Sequence, residues 1–397
     1  MKISVNAGEL ATALALAASL SDNKRNSNIA GLEAVRLAAA DDELTIAADV
    51  LDFAITLVVP AVVETPGEVA VSASKVSTLV AGFLPEAMIE IQGEGTICRV
   101  GSDRSRFKLP MIALENLPAS LALTEATGSV TVDRDDAAAL LVWPAFAAST
   151  EKTRVYLGGV LLRDDEGVLT AVAIDGQRLA RSRVPGATGL SSDFGLIVPN
   201  TALKIVAKLL ADKSVERVTL RRSLTLLSIE AARFVFVSKL IDQRFPDYTR
   251  LIPKPPGNTV TVDRIELLRA LDRVAAVVDP GQRRVVVGLT WTEQQPALRL
   301  GLTNSDDADD VVTAEVTGCG RVAVQISLLT EMLHALGGQR VRIASDGGIN
   351  PILLSDIDRS DFLGLQMPYQ WPARATQAAS GERNAATLRA LIDEANA

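Results

Sequence analysis

Cysteine and histidine are scarce: the 397 residues include Cys98, Cys319 and a single His334. That excludes a disulfide framework and a Cys/His zinc site, and makes a reducing cytoplasm the expected compartment. Aromatic residues are only 4%, so the 48% hydrophobic share is mainly aliphatic, with alanine and valine prominent. Long apolar runs are missing as well. The longest uncharged run found, 137–150, is too short to span a bilayer and contains Pro144. The start, with Lys2 followed by the apolar stretch Leu10 to Leu20, imitates a signal peptide only loosely. Ile3 and Val5 alternate as in a strand and Glu9 interrupts the apolar region, so strand then helix is the reading. No glycine-rich loop suited to phosphate is present, and Gly337-Gly338 falls at a helix end. Positive charge is in deficit: a net charge of −8 sets the surface as a whole against nucleic acid and anionic membranes. It leaves open a protein whose basic residues gather on one face.

What is present is repetition. Ile3-Ser-Val5-Asn-Ala7-Gly-Glu9-Leu10, Val130-Thr-Val132-Asp-Arg-Asp-Asp-Ala137 and Val260-Thr-Val262-Asp-Arg-Ile-Glu-Leu267 each read as a short strand, a polar cap and an amphipathic helix. Val5, Val132 and Val262 are offset by 127 and 130 residues. A second landmark keeps step, because Val71, Val198 and Val324 are offset by 127 and 126. They precede apolar helices expected over Val76–Leu84, Leu203–Leu210 and Leu328–Leu336. The remainder is β-rich, so the chain predicts three α+β units, each with two helices and antiparallel sheet. The units span 1–127, 128–253 and 254–371, and 372–397 is an alanine-rich extension with a flexible Ser380-Gly381 and a short helix over 384–394.

No catalytic constellation emerges. His334 in Leu333-His-Ala-Leu336 reads as an ordinary helical histidine, and Cys98 and Cys319 as buried structural thiols. Asp306, Asp307, Asp309 and Asp310 come from one segment, whereas a two-metal nuclease needs carboxylates from converging elements. A solvated edge or an electrostatic interface suits them better. Asp164-Asp-Glu-Gly167 reads as a hairpin turn. The chain reads as a non-enzymatic scaffold, with no cofactor and no metal.

Asp175-Gly-Gln-Arg-Leu-Ala180, the run Phe236-Val-Ser-Lys-Leu-Ile-Asp-Gln-Arg-Phe-Pro-Asp-Tyr248, and Met367-Pro368 are the most specific stretches. Together with the threefold repeat they resemble the bacterial DNA polymerase III β subunits, the DNA sliding clamps, over residues 1 to about 371. The resemblance implies a head-to-tail homodimeric ring of clamp units that encircles duplex DNA without reading its sequence. It implies further partners: the polymerase III catalytic subunit, the clamp loader and other proteins carrying a clamp-binding motif. No membrane is among them, and the expected place is the cytoplasm, at the nucleoid. A diverged peptide-binding adaptor that never encircles DNA is the alternative.

Carried over residue by residue, the family's partner-peptide pocket comprises Leu157, Ile174, Gly176, Gln177, Arg178, Leu179, Pro246, Arg250 and Leu251, completed by Gln325, Leu328, Met367, Pro368 and Tyr369. The chain departs from the family at Gln177, often His, at Leu328, often Tyr, and at its Met367-Pro-Tyr-Gln-Trp371 ending, which bears on partner preference. The extension starts beside this pocket. It reads either as a modulator of access or as a disordered appendage. Candidate DNA-facing residues are Lys204 and Lys208, four apart on one helix, Arg269 and Arg273 likewise, and Lys24, Arg25, Lys75 and Lys152. For ring closure, Arg104, Arg106, Phe107 and Leu109 alternate on a strand of the first unit. Their family partners lie in the third unit, with Val277 and Val278 apolar and Asp306, Asp307, Asp309 and Asp310 opposite in charge.

Overall fold

A computed structural model describes residues 1–21, 31–190, 192, 194–279, 284–303, 307–358 and 361–370. Its helices are α1 (Ala7–Ser21), α2 (Ala73–Val80), α3 (Arg134–Leu141), α4 (Asn200–Leu210), α5 (Arg264–Ala276) and α6 (Ile326–Ala335). Each follows a strand without a linker. Strands Lys2–Asn6, Gly128–Asp133 and Thr259–Asp263 run into α1, α3 and α5, and Gly67–Ser72, Leu196–Pro199 and Cys319–Gln325 into α2, α4 and α6. Both landmarks are thus the same strand-to-helix step, three times over, and their valines are buried.

The step has a local cause. At α1 and α5 the last residue of the strand turns its side chain onto the first free amides of the helix, whereas at α2, α4 and α6 no side chain caps the first turn. Asn6 Oδ1 accepts from Glu9 N at 3.1 Å, and Asp263 Oδ1 accepts from Ile265 N and Glu266 N, both at 2.9 Å. These amides, the Glu266 N–H first, hold the Asp263 carboxyl below its ordinary range. Arg264 then reaches the far end of α6, donating from Nε to Gly338 O at 2.7 Å and from Nη1 to Leu333 O at 3.3 Å. Gly338 N donates to Asp356 Oδ2 at 2.7 Å, and a β-carbon on Gly338 would fall 2.0 Å from Asp356 Oδ1, which is why glycine stands there. α2 stops at Val80, short of the expected Leu84. Gly82 and Pro85 end it: proline disfavours helical geometry in the residue before it, and Leu84 is left exposed.

The chain forms two compact units. The first comprises residues 1–141, 159–169 and 185–244. Its main sheet has 12 strands, in the order Ser105–Pro110, Ile97–Ser102, Met88–Glu94, Lys2–Asn6, Phe53–Thr65, Phe234–Lys239, Leu226–Ala231, Arg217–Arg222 and Gly128–Asp133, with Ala34–Ala40, Glu43–Asp49 and Gly67–Ser72 alongside. Phe53–Thr65 pairs antiparallel with Phe234–Lys239, Ile55 facing Phe236, so the sheet passes from the first repeat into the second. The second unit comprises 142–158, 170–184 and the residues from 245 on. Its sheet runs from Arg178–Pro185 through Leu363–Gln366, Ile352–Asp356, Arg340–Ala344, Thr259–Asp263, Asp309–Thr317, Gln295–Leu302 and Val286–Thr292 to Cys319–Gln325. Here Arg178–Pro185 pairs with Leu363–Gln366, Ala180 facing Gly364. With Gly159–Asp165 and Val168–Ile174 as the second and third strands of the second repeat, both junctions obey one rule: the fourth strand of a repeat pairs with the eighth strand of the next.

Glu166 and Gly167, with φ of 52° and 89°, make the hairpin turn expected at Asp164–Gly167. Cys98 is buried, and burial pushes its thiol up to about 11. Cys319 corrects the expectation of two buried thiols: it opens the strand Cys319–Gln325 and is exposed. A thiol reagent is therefore expected to label one cysteine per native chain and the second only after denaturation. Loss of the fast phase in Cys319→Ser is the check, and fast labelling that survives in that variant would contradict the assignment. Among the described residues no helix is long and apolar enough to cross a membrane.

Candidate partner-peptide site

The site starts from Asp175, whose side chain shapes the turn that follows it. Oδ1 accepts from Gln177 N at 2.8 Å and Arg178 N at 2.9 Å, and Gly176 supplies the left-handed residue with φ +94°. Oδ2 accepts from Arg178 Nε at 2.9 Å. Arg178 is nearly buried, and its guanidinium is held on three sides. Nη2 donates to Phe146 O at 2.7 Å, Nη1 stands 2.6 Å from Glu331 Oε2 as an ion pair, and the guanidinium carbon lies 5.1 Å from the Phe146 ring centre. One arginine thus ties the turn to α6 and to the 3-10 turn Trp143–Ala147.

The third repeat closes on this frame. Met367 N donates to Gln177 O at 2.7 Å and Tyr369 N to Ala323 O at 2.8 Å, which hold Met367-Pro368-Tyr369 at both ends. Tyr369 Oη donates to Gln325 Oε1 at 2.8 Å, and Gln325 Nε2 to Ser327 Oγ at 2.7 Å. The residues expected from Gly176 to Leu179, Gln325 and Met367 to Tyr369 are therefore brought together, although nearly 200 positions separate the ends. Leu157, Ile174 and Leu179 are buried and form core beneath the surface, while Leu328 is half-buried on α6. Met367 and Leu251 are 42% and 51% exposed, and Gly176, Gln177, Pro246 and Arg250 are exposed too. Asp247 Oδ1 organises the Pro246–Leu251 segment by accepting from Thr249 N at 3.0 Å and Thr249 Oγ1 at 2.6 Å. Burial lowers the pKa of Arg181, the neighbouring Arg183 lowers it further, and Tyr248 opposes both.

The basic candidates divide. Lys204 and Lys208 project from the exposed face of α4, whose other face buries Leu203, Val206 and Leu210. Arg269 on α5, Lys75 on α2 and Lys152 in a turn are exposed. Arg273 is not a free cation, since its Nε donates to Asp310 Oδ2 at 2.7 Å. That pairing raises the pKa of Arg273 and lowers that of Asp310. Asp309 likewise pairs with Arg299 at 3.1 Å, so Asp309 and Asp310 both have partners within the chain. Asp307 is exposed. Lys24, Arg25, Asp306 and the extension 372–397 lie outside the described residues. On the edge strand Ser105–Pro110, Arg106 and Phe107 are exposed, Leu109 is half-buried, and the preceding Arg104 is exposed. The Phe107 ring packs edge-on against Phe83 at 6.1 Å between centres. Val277, at the end of α5, is 55% exposed, and Val278 half-buried.

Family models of the DNA polymerase III beta subunit match three consecutive stretches: its N-terminal domain over 1–122, its central domain over 131–247 and its C-terminal domain over 249–370. The Beta sliding clamp of Caulobacter vibrioides is 30% identical over 365 residues, covering 90% of this chain and 96% of that protein. The chain belongs to the β sliding clamp family. The Pseudomonas aeruginosa clamp is 27% identical over 308 residues, which covers 76% of this chain and 82% of the relative. Among solved structures, a Bartonella birtlesii sliding clamp bound to griselimycin superposes with a TM-score of 0.80 at 25% identity, covering 93% of this chain and all 100% of that one. A Pseudomonas aeruginosa clamp gives 0.77 at 25% identity, covering 93% and 99%. Asp175, Phe146 and Glu331 hold Arg178 in place, and sequence reasoning did not assign them. Asp175 stands inside the motif that carried the resemblance. Phe146 and Glu331 have no local signal, being brought to Arg178 by the fold alone.

Proposed function

We propose that this chain is a non-catalytic processivity factor: two copies close head to tail around duplex DNA and hold the replicative polymerase through the groove at Arg178 and Met367. The observation that carries the ring is the junction rule. Fourth and eighth strands pair at both junctions between successive repeats, which leaves the fourth strand of the third repeat, Asp309–Thr317, and the eighth of the first, Ser105–Pro110. Among the described residues, 309–313 pairs along one side, with Gln295–Leu302, and Ser105–Pro110 is a sheet edge. A second copy supplies each edge with its complement, and two such contacts close a ring. Exposed Phe107 on one edge and exposed Val311 and Val277 on the other give it apolar content.

Inside the ring, Lys204, Lys208 and Arg269 meet phosphates without reading bases, and the acidic surface elsewhere disfavours other placements of the DNA. So few basic residues suit a topological tether better than a tight site. The polymerase catalytic subunit, the clamp loader and other motif-bearing proteins are the partners, in the cytoplasm at the nucleoid. The test is retention on nicked circular duplex after incubation with a bacterial clamp loader and ATP. The clamp is expected to co-elute with the circle through high salt and to be lost once the DNA is linearised. Equal behaviour on circular and linear DNA would overturn encirclement and leave a peptide-binding adaptor.

A further inference from the structure

The backbone frame of the Arg178 site occurs a second time, inside the first unit. Val50 N donates to Phe53 O at 2.8 Å as Asp175 N does to Arg178 O at 3.3 Å. Lys239 N donates to Asp52 O at 3.0 Å, the counterpart of Met367 N on Gln177 O at 2.7 Å. Ile241 N donates to Ile197 O at 2.9 Å, the counterpart of Tyr369 N on Ala323 O at 2.8 Å. The side chains have diverged. Phe53, stacked on Phe236 at 6.1 Å, stands where Arg178 does.

Beyond Ile241 the chain runs on through Asp242 and Gln243 to Arg244. With the loop around Phe194 and the hairpin Arg222–Thr225 it walls a groove of about 560 Å³. Leu240 N donates to Thr225 O at 2.8 Å and fixes the hairpin against the strand exit. Phe194 is 64% exposed and Leu224, at the hairpin tip, 84%. The Arg244 guanidinium carbon lies 5.7 Å from the Phe194 ring centre and closes one end. Arg222 and Arg244 are the cations of its lining and Asp242 the one carboxylate, in a chain of net charge −8.

We propose that this groove is a second peptide-docking surface, whose occupant is a short linear segment with a Leu or Phe anchor flanked by carboxylates. The anchor fills the space between Phe194 and Leu224, and the carboxylates meet exposed Arg244 at the groove's end. A clamp with two such surfaces per chain holds two motif-bearing segments at once, or both segments of one bivalent partner.

The probe is a fluorescein-labelled peptide Asp-Glu-Leu-Asp-Leu-Phe, titrated into the full chain by anisotropy and, unlabelled, by calorimetry. Two sites per chain are expected. Leu224→Asp and Arg244→Glu change exposed side chains, so the circular dichroism spectrum and the melting temperature should hold while one site weakens about tenfold. Met367→Asp should remove the other site alone. Exchanging the peptide's acids for lysines should abolish binding at the Leu224 site. A single site lost in Met367→Asp and indifferent to Leu224→Asp and Arg244→Glu would overturn the proposal, as would competition for the groove by a single-stranded oligonucleotide. A Leu224 site that persists while Met367→Asp changes nothing would instead count against the polymerase-binding reading of the Arg178 site.

Discussion

Phe107→Asp is expected to convert two-chain rings into single chains. Phe107 is 43% exposed on the edge strand, and its ring is already in edge-on contact with Phe83. A second copy would bury the outer face against 309–313 and the end of α5. A carboxylate there meets apolar Val311 and Val277 and the acids Asp307, Asp309 and Asp310, so both desolvation and like charge oppose closure. Burial of a central aromatic anchor is worth about 2 kcal/mol or more in a protein interface. A twofold ring contains the contact twice, so the loss is about 4 kcal/mol, on the order of a thousandfold in the dimer Kd. Sedimentation velocity over a dilution series reads this directly, and an unchanged dimer would remove the edge-pairing account of the ring. Reversing Arg104 and Arg106 to glutamate acts at the rim and is expected to slow association and reduce its salt dependence. A double variant that stays fully dimeric on dilution would exclude those arginines from the interface.

Arg178→Ala is expected to weaken a polymerase-type peptide, Gln-Leu-x-Leu-Phe, by about 10- to 100-fold and to lower the melting temperature. Arg178 is 9% exposed, donates to Asp175 and Phe146 and forms an ion pair with Glu331 on α6. Its removal leaves the Asp175 carboxylate and the Phe146 carbonyl without their donor and loosens the turn whose Gln177 carbonyl holds Met367. Losing such a network costs about 2–3 kcal/mol, or roughly 5 °C of melting. Arg178→Lys should not restore it, because an ammonium does not span the carboxylate, the carbonyl and the α6 glutamate as the planar fork does. Pro246→Ala separates the two effects: Pro246 is exposed, so peptide affinity should fall with the melting temperature unchanged. Wild-type peptide affinity in Arg178→Ala would show that the arginine is structural only. Deleting 372–397 in the same assay tests the extension, and unchanged affinity would remove it as a modulator of the groove.

Much of this protein is written locally. The strand-to-helix steps were legible because alternation at Ile3 and Val5, a polar cap at Asp263 and apolar spacing in α4 are consequences of backbone geometry within a few residues. The same locality explains the misreadings. Leu84 continues the apolar pattern of α2, but Pro85 ends the helix before it, and a strand-like context around Cys319 does not say which face meets solvent. Lys204 and Lys208 share a face by helix periodicity, whereas Arg273 carried the same pattern and lost its free charge to Asp310, a residue 37 positions away.

The sequence by itself determined the repeat, the helix and strand types, the turn at Asp164-Asp-Glu-Gly167 and, by resemblance, the family. Only the tertiary structure decided that Arg178 is clasped by Phe146 and Glu331, that fourth strands join eighth strands across repeats, and that Phe194, Leu224 and Arg244 line a common groove. The division is physical. Periodicity and capping are fixed by neighbours along the chain, while pairing partners and the fate of a charge depend on which distant surfaces the packed sheets bring together.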